Sequence, residues 1–165
     1  MRMIALLAAL PAIAAPQLLP RATEQTVAAV ECRLTADEAW REIDRLGYHR
    51  NNLDRTARTG LGDARTRGVR PFGMAGTAIH MQFSNEGNPG ARPHFAITTT
   101  VAARFQPARD TVLARFQRPC DATIPLAGGL SACRLDMRSS NPGHPLSLTI
   151  TPTGLRTNLT CAYLP

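Results

Sequence analysis

The chain contains no lysine: all 19 basic residues are arginine, against 12 acidic residues in 165. A P-loop of the form G-x-x-x-x-G-K-[ST] is therefore excluded. No G-x-S-x-G string is present, which removes the nucleophile elbow of the α/β-hydrolases. Aromatics are few, one Trp, two Tyr and five Phe, and none interleaves with the arginines as a base-stacking platform for nucleic acid requires. No repeat of 20–50 residues occurs, which rules out solenoids and propellers. No apolar run approaches the roughly 20 residues of a membrane-crossing helix. At 44% apolar and 19% charged, the composition is that of a folded chain rather than a disordered one.

The longest apolar run is N-terminal. Met1-Arg2-Met3 places one positive charge before residues 4–15, and Ala12-Ile13-Ala14 has the small-x-small form of a cleavage site. This is the layout of a secretory signal over residues 1–14. A Pro-rich lead-in over 15–24 and a single disulfide-stabilised globular domain over 25–165 are expected to follow. Cleavage after Ala14 takes 14 from 165, leaving 151 residues, with 18 arginines against 12 acids, a net charge of +6. Arg-for-Lys usage with abundant Ala, Gly and Pro is associated with GC-rich coding sequences. The expected location is secreted or periplasmic, with no transmembrane segment after signal cleavage.

Cys32, Cys120, Cys133 and Cys161 are an even set in an exported chain, the pattern of two disulfides. Zinc requires clustered ligands, and the tightest cysteine spacing here is thirteen, from Cys120 to Cys133. No metal site and no cofactor is expected. Gly128-Gly129 reads as a two-residue hairpin turn between strands 123–126 and 130–138, which sets Cys120 near Met137 and Cys133 near Ile150. A turn at residues 151–154 sets Cys161 near Pro145. This register favours the pairs Cys32–Cys133 and Cys120–Cys161.

Thr35-Ala36-Asp37-Glu38 is a capping box. Ala36, Ala39, Trp40, Ile43 and Leu46 then recur at helical spacing until Gly47, predicting an amphipathic helix over 36–46 with Trp40 anchored on the core. Residues 26–32 suggest a short strand. Periodicity fades from 48 to 73, a stretch expected to begin as a helical continuation and end as a loop. It then changes to two over 77–84, 95–105 and 112–116, and continues through 123–126, 130–138, 145–151 and 155–163, with a loop over 84–92. One-sided alternation and short connections indicate an α+β fold, one N-terminal amphipathic helix packed on an antiparallel sheet of about six or seven strands. An all-β sandwich or barrel with one helix is the alternative.

Few residues stand in a catalytic pattern, and no catalytic residue is assigned. Gly60-Leu61-Gly62-Asp63-Ala64-Arg65 begins like a dinucleotide loop, but Arg65 stands where the third glycine belongs. If Phe83 faces Phe95, His80 faces Thr98 and His94 faces Ser84, which sets the histidines roughly 13 Å apart, too far to share a metal at about 2.1 Å. His80, Gln82, Thr98, Thr100 and Arg104 form a polar outer surface. Between residues 50 and 70 lie six arginines and two aspartates. Within that segment Arg55, Arg58, Arg65, Arg67 and Arg70 are the candidate anion contacts, since guanidinium pairs bidentately with phosphate and carboxylate. The expected function is that of a non-enzymatic cell-envelope binding or structural protein, its partner an anionic envelope component or another envelope protein rather than nucleic acid. The alternative is a small hydrolase or isomerase with a site around the outer sheet face, using His80, His94 or Arg104.

Overall fold

The computed structural model describes residues 21–46, 59–64, 68–84, 94–137 and 145–163. Among these are three helices, α1 (Glu24–Val30), α2 (Ala36–Arg45) and α3 (Phe105–Phe116). Seven strands accompany them: β1 (Thr59–Ala64), β2 (Gly76–Ser84), β3 (His94–Val101), β4 (Ala122–Pro125), β5 (Ser131–Asp136), β6 (Pro145–Thr153) and β7 (Arg156–Tyr163). The strands make one antiparallel sheet in the order β1-β2-β3-β7-β6-β5-β4. The chain builds β1-β2-β3 as one meander. It crosses to the far edge through α3, then returns β4-β5-β6-β7, so that β3 and β7 meet at the centre. The fold is α+β, with the expected antiparallel sheet. The expected signal segment and residues 15–20 of the lead-in lie outside the described residues, and the end of the lead-in is already the start of α1 at Glu24.

Alternation builds one covered face. Phe95, Ile97, Thr99 and Val101 on β3 and Thr157, Leu159, Cys161 and Tyr163 on β7 are buried. Leu148 and Ile150 on β6 and Cys133 and Leu135 on β5 continue the same layer. Helices α1 and α3 pack on it. The α2 stripe of Ala36, Ala39, Ile43 and Leu46 is buried as expected. Trp40 meets Phe95 edge-on at 5.3 Å, and Phe95 stacks on Tyr163 at 4.8 Å. The Thr35/Glu38 capping box is formed.

Three stretches differ from the sequence expectation. Residues 26–32 are not a strand: Thr23 starts α1, its hydroxyl accepting from Thr26 N–H while Thr26 Oγ1 accepts from Thr23 N–H. This reciprocal cap uses Thr at the third position instead of the usual Glu or Gln, and the alanines behind it are strong helix formers. Residues 112–116 are not a strand either, and β3 ends at Val101. Val112, Ala114 and Phe116 alternate only by coincidence, because the buried residues of α3 are Ala108 and Val112, four apart. Pro107 falls in the first turn, where its missing N–H costs nothing. Finally, β1 lies inside the stretch expected to be helix and loop, so Gly60-Leu61-Gly62 is strand backbone paired with Phe83, Gln82 and Met81.

The disulfides are Cys32–Cys161 and Cys120–Cys133, not the expected Cys32–Cys133 and Cys120–Cys161. Two features of register explain the correction. The β6–β7 turn falls after Thr153, which pairs with Arg156, so Cys161 lies opposite Leu148 and Ile97 in mid-sheet. And the chain does not run straight back from β4: after α3 it turns through Gln117, which adopts φ +52°, bringing the Cys120 Cα within 5.5 Å of that of Cys133. Cys133 does face Ile150, as expected. Cys32–Cys161 clamps the end of α1 onto β7, where the Tyr163 hydroxyl also donates to Ala29 O at 2.7 Å. Burial, helped by the Glu38 carboxylate, pushes the Tyr163 phenol well up from its ordinary value, so this clamp stays protonated at any ordinary pH.

Candidate functional site

Of the candidate anion contacts, Arg55, Arg58, Arg65 and Arg67 lie outside the described residues. Arg70 is described and exposed, and its Nη2 donates to Gly73 O at 3.3 Å, across a 3-10 turn over Pro71–Gly73. That turn leads from the arginine-rich segment to a groove of about 580 Å³ lined by Glu31, Arg33, Phe72, Gly73, Thr111, Ala114 and Arg115.

The groove is built by two backbone reversals at residues that are not glycine. Cys32 adopts φ +58°, closing α1 in a Schellman pattern, with Cys32 N bonded to Ala29 O and Arg33 N to Ala28 O. Phe72 adopts φ +51°, a conformation that costs an L-residue about 1 kcal/mol or more. Its N–H donates to Glu31 Oε1 at 2.5 Å, and its ring lies 6.0 Å from that of Phe116 on α3. The other Glu31 oxygen accepts from Arg33 Nε at 2.7 Å. One carboxylate, with only 8% of its side chain exposed, therefore holds both the strained Phe72 backbone and the Arg33 Nε. From α3, Thr111 and Arg115 stand one above the other, four residues apart.

A second groove, of about 360 Å³, is lined by Gln25, Glu38, Arg41, Glu42 and Arg45. Its Glu42 and Arg45 charges pair with each other. Arg45 donates to both Glu42 oxygens, at 2.7 and 2.8 Å, and the Thr23 and Thr26 hydroxyls donate to Oε1. Burial alone would raise the Glu42 carboxyl, but these donors together hold it below the usual carboxylate range. The exposed Glu38 carboxyl is likewise lowered, by the Thr35 backbone and hydroxyl donors of the capping box.

On the sheet face opposite α1 and α3, His80 pairs with Thr98 and Ser84 with His94, in the expected register. The ladder row from His80 continues through Thr98, Thr160 and Thr149 to Arg134. The hydroxyls of Thr98 and Thr160 bond at 2.9 Å, and Thr100 donates to Asn158 at 2.7 Å. Arg104 is not on this face, contrary to expectation: it is the N-cap residue of α3, because the strand ends three residues before it. Among the described residues no group of three His, Cys, Asp or Glu is placed to hold a metal, and no helix is long and apolar enough to cross a membrane.

Sequence reasoning missed the groove. Its signal, glutamate and arginine flanking Cys32 together with Pro-Phe-Gly after Arg70, depends on two left-handed residues that carry no glycine to mark them. The chain matches no protein-family model, no curated protein and no solved structure.

Proposed function

We propose that the protein is an exported, non-catalytic binding domain of the cell envelope that holds anionic groups through its arginines. One observation carries this reading. The charged pairs Glu31–Arg33, Glu42–Arg45, Asp110–Arg109 and Asp121–Arg118 consume carboxylates locally. Among the described residues this leaves Arg21, Arg41, Arg70, Arg104, Arg115, Arg134 and Arg156 exposed and outside any ion pair. Arginine keeps its charge at any accessible pH, so the surplus of 19 over 12 is a permanent cationic surface. The residue 50–70 segment adds six arginines against two aspartates.

Export is supported by the apolar leader-like run and by two disulfides that leave no free cysteine, the usage of an oxidising compartment. The test is co-sedimentation with phosphatidylglycerol vesicles, against phosphatidylcholine vesicles, at low and high salt. Retention on the anionic vesicles that falls with salt is expected, as is a drop in R65S/R67S/R70S. Retention unchanged by salt, or unchanged in that variant, rejects the reading.

A further inference from the structure

The groove between α1, the Pro71–Gly73 turn and α3 has the parts of a specific small-molecule site. Its volume of about 580 Å³ falls within the range of ligand pockets. Glu31 is recessed and has both oxygens engaged, by Phe72 N–H and Arg33 Nε, so it acts as a fixed bracket and not as a free charge. Arg33 spends only Nε on that bracket, and its two Nη atoms make no hydrogen bond among the described residues. Arg115 makes no hydrogen bond or ion pair among them. With Arg70 bonded to Gly73 on the rim, three guanidinium groups stand against one carboxylate. Phe72, Gly73 and Ala114 line the same groove, and Phe72 is held at a left-handed backbone position, a strain of the kind that collects at ligand clamps.

We propose that this groove binds a small oxyanion, a carboxylate or a phosphate monoester, carried on a flat apolar body. The oxyanion takes the free Nη fork of Arg33 and the guanidinium of Arg115, which recognise paired oxygens. The apolar body lies on the Phe72 ring over Ala114. A bare anion leaves the ring uncovered, and a neutral aromatic leaves both guanidinium groups without a partner. The inference rests on the anion-binding reading above, but it names different residues and a soluble ligand, so the two fail separately.

The experiment is a titration of the disulfide-bonded protein with phenyl phosphate, phenylacetate, inorganic phosphate and benzyl alcohol, followed by calorimetry and by the arginine Nε–Hε signals in NMR. Phenyl phosphate or phenylacetate, or both, is expected to bind at least about fivefold more tightly than inorganic phosphate and benzyl alcohol, with the Arg33 and Arg115 signals shifting. Which of the two binds identifies the anion. R115Q is expected to weaken binding about tenfold, as the loss of a charged hydrogen bond does. A114L, which fills the groove and leaves every charge in place, is expected to do the same, with folding of both variants checked by thermal denaturation. Failure of both phenyl phosphate and phenylacetate to bind more tightly than inorganic phosphate, or aromatic-anion binding unchanged in folded A114L, overturns the proposal. Aromatic-anion binding in the groove without salt-sensitive vesicle retention upholds the groove and rejects the surface reading. Vesicle retention that persists in R33Q/R115Q, with no aromatic-anion binding by the parent protein, does the reverse.

Discussion

The two faces of the sheet come from the same strands, one residue apart, and they are held together by different physics. On β3, Phe95, Ile97, Thr99 and Val101 are buried under the helices, while Ala96, Thr98 and Thr100 between them are only half-buried. The covered face is stabilised by apolar area removed from water, by the aromatic run Trp40–Phe95–Tyr163 and by a disulfide to α1. The open face relies on hydroxyl and amide groups bonded across strands, Thr98 to Thr160 and Thr100 to Asn158, contacts worth only tenths of a kcal/mol each. The contrast shows where stability is concentrated and where the surface is free to vary. It also implies that substitutions removing apolar area from the covered face are costly and open-face ones mild.

The largest break should come from the staple joining α1 to the covered face. Cys32–Cys161 spans 129 residues and Cys120–Cys133 only 13. By the chain-entropy relation the longer loop contributes about 5 kcal/mol and the shorter about 3 kcal/mol. C32S/C161S is therefore expected to lose more stability in urea than C120S/C133S, and to release α1, which at seven residues is too short to persist alone. Equal midpoints for the two variants would show that α1 is held by packing, not by its crosslink.

A smaller effect is expected where α2 meets α1. Glu42 is 7% exposed and gathers Arg45, Thr26 and Thr23. Glu42→Gln should cost about 2 kcal/mol at neutral pH, the range for hydrogen bonds to a charged group. Because the folded carboxyl lies below its ordinary value of 4.5, its contribution is fully present above that value and fades as pH falls through the folded one. Glu38 is lowered in the same direction, so the difference between the parent protein and Glu42→Gln isolates Glu42. That difference should shrink on acidification below about pH 4.5, read from thermal midpoints. A difference constant with pH would show that the network acts through shape alone.

These contrasts also explain how much of the molecule is legible in its sequence. Period-two alternation carries the β2–β3 register, Phe83 on Phe95 and His80 on Thr98, because a one-residue slip would turn every apolar side chain outward. The capping box marks α2 for the same reason: local chemistry and burial agree. Legibility fails where they part. In α3 three alternating apolar residues imitate a strand, and only the Ala108–Val112 spacing reveals the buried helical face. In β1 two glycines and an aspartate give no strand signal, and pairing with β2 supplies the structure. The disulfide partners depend on the one residue by which the Gly154 turn shifts the register and on a chain reversal at Gln117, which no glycine marks. The groove is hidden for the same reason, since Cys32 and Phe72 take up a conformation usually left to glycine.

The smallest expected effects give the sharpest contrast, because neighbouring threonines on β3 should respond to the same substitution with opposite sign. Thr98 is half-buried on the open face and bonded to Thr160. Thr98→Val removes that bond and should cost about 0.5 kcal/mol. Thr99 is fully buried on the covered face, and its hydroxyl has no hydrogen-bond partner among the described residues. Thr99→Val keeps the branched shape that suits a strand and deletes a buried polar atom whose desolvation costs about 1–3 kcal/mol. It should therefore raise stability, by about 1 kcal/mol in chemical denaturation. A loss at Thr99 as large as the one at Thr98 would mean that its hydroxyl is satisfied in solution, by an internal water or a neighbouring carbonyl. The covered face would then be held partly by polar contacts, and the division between the two faces would be less complete than burial implies.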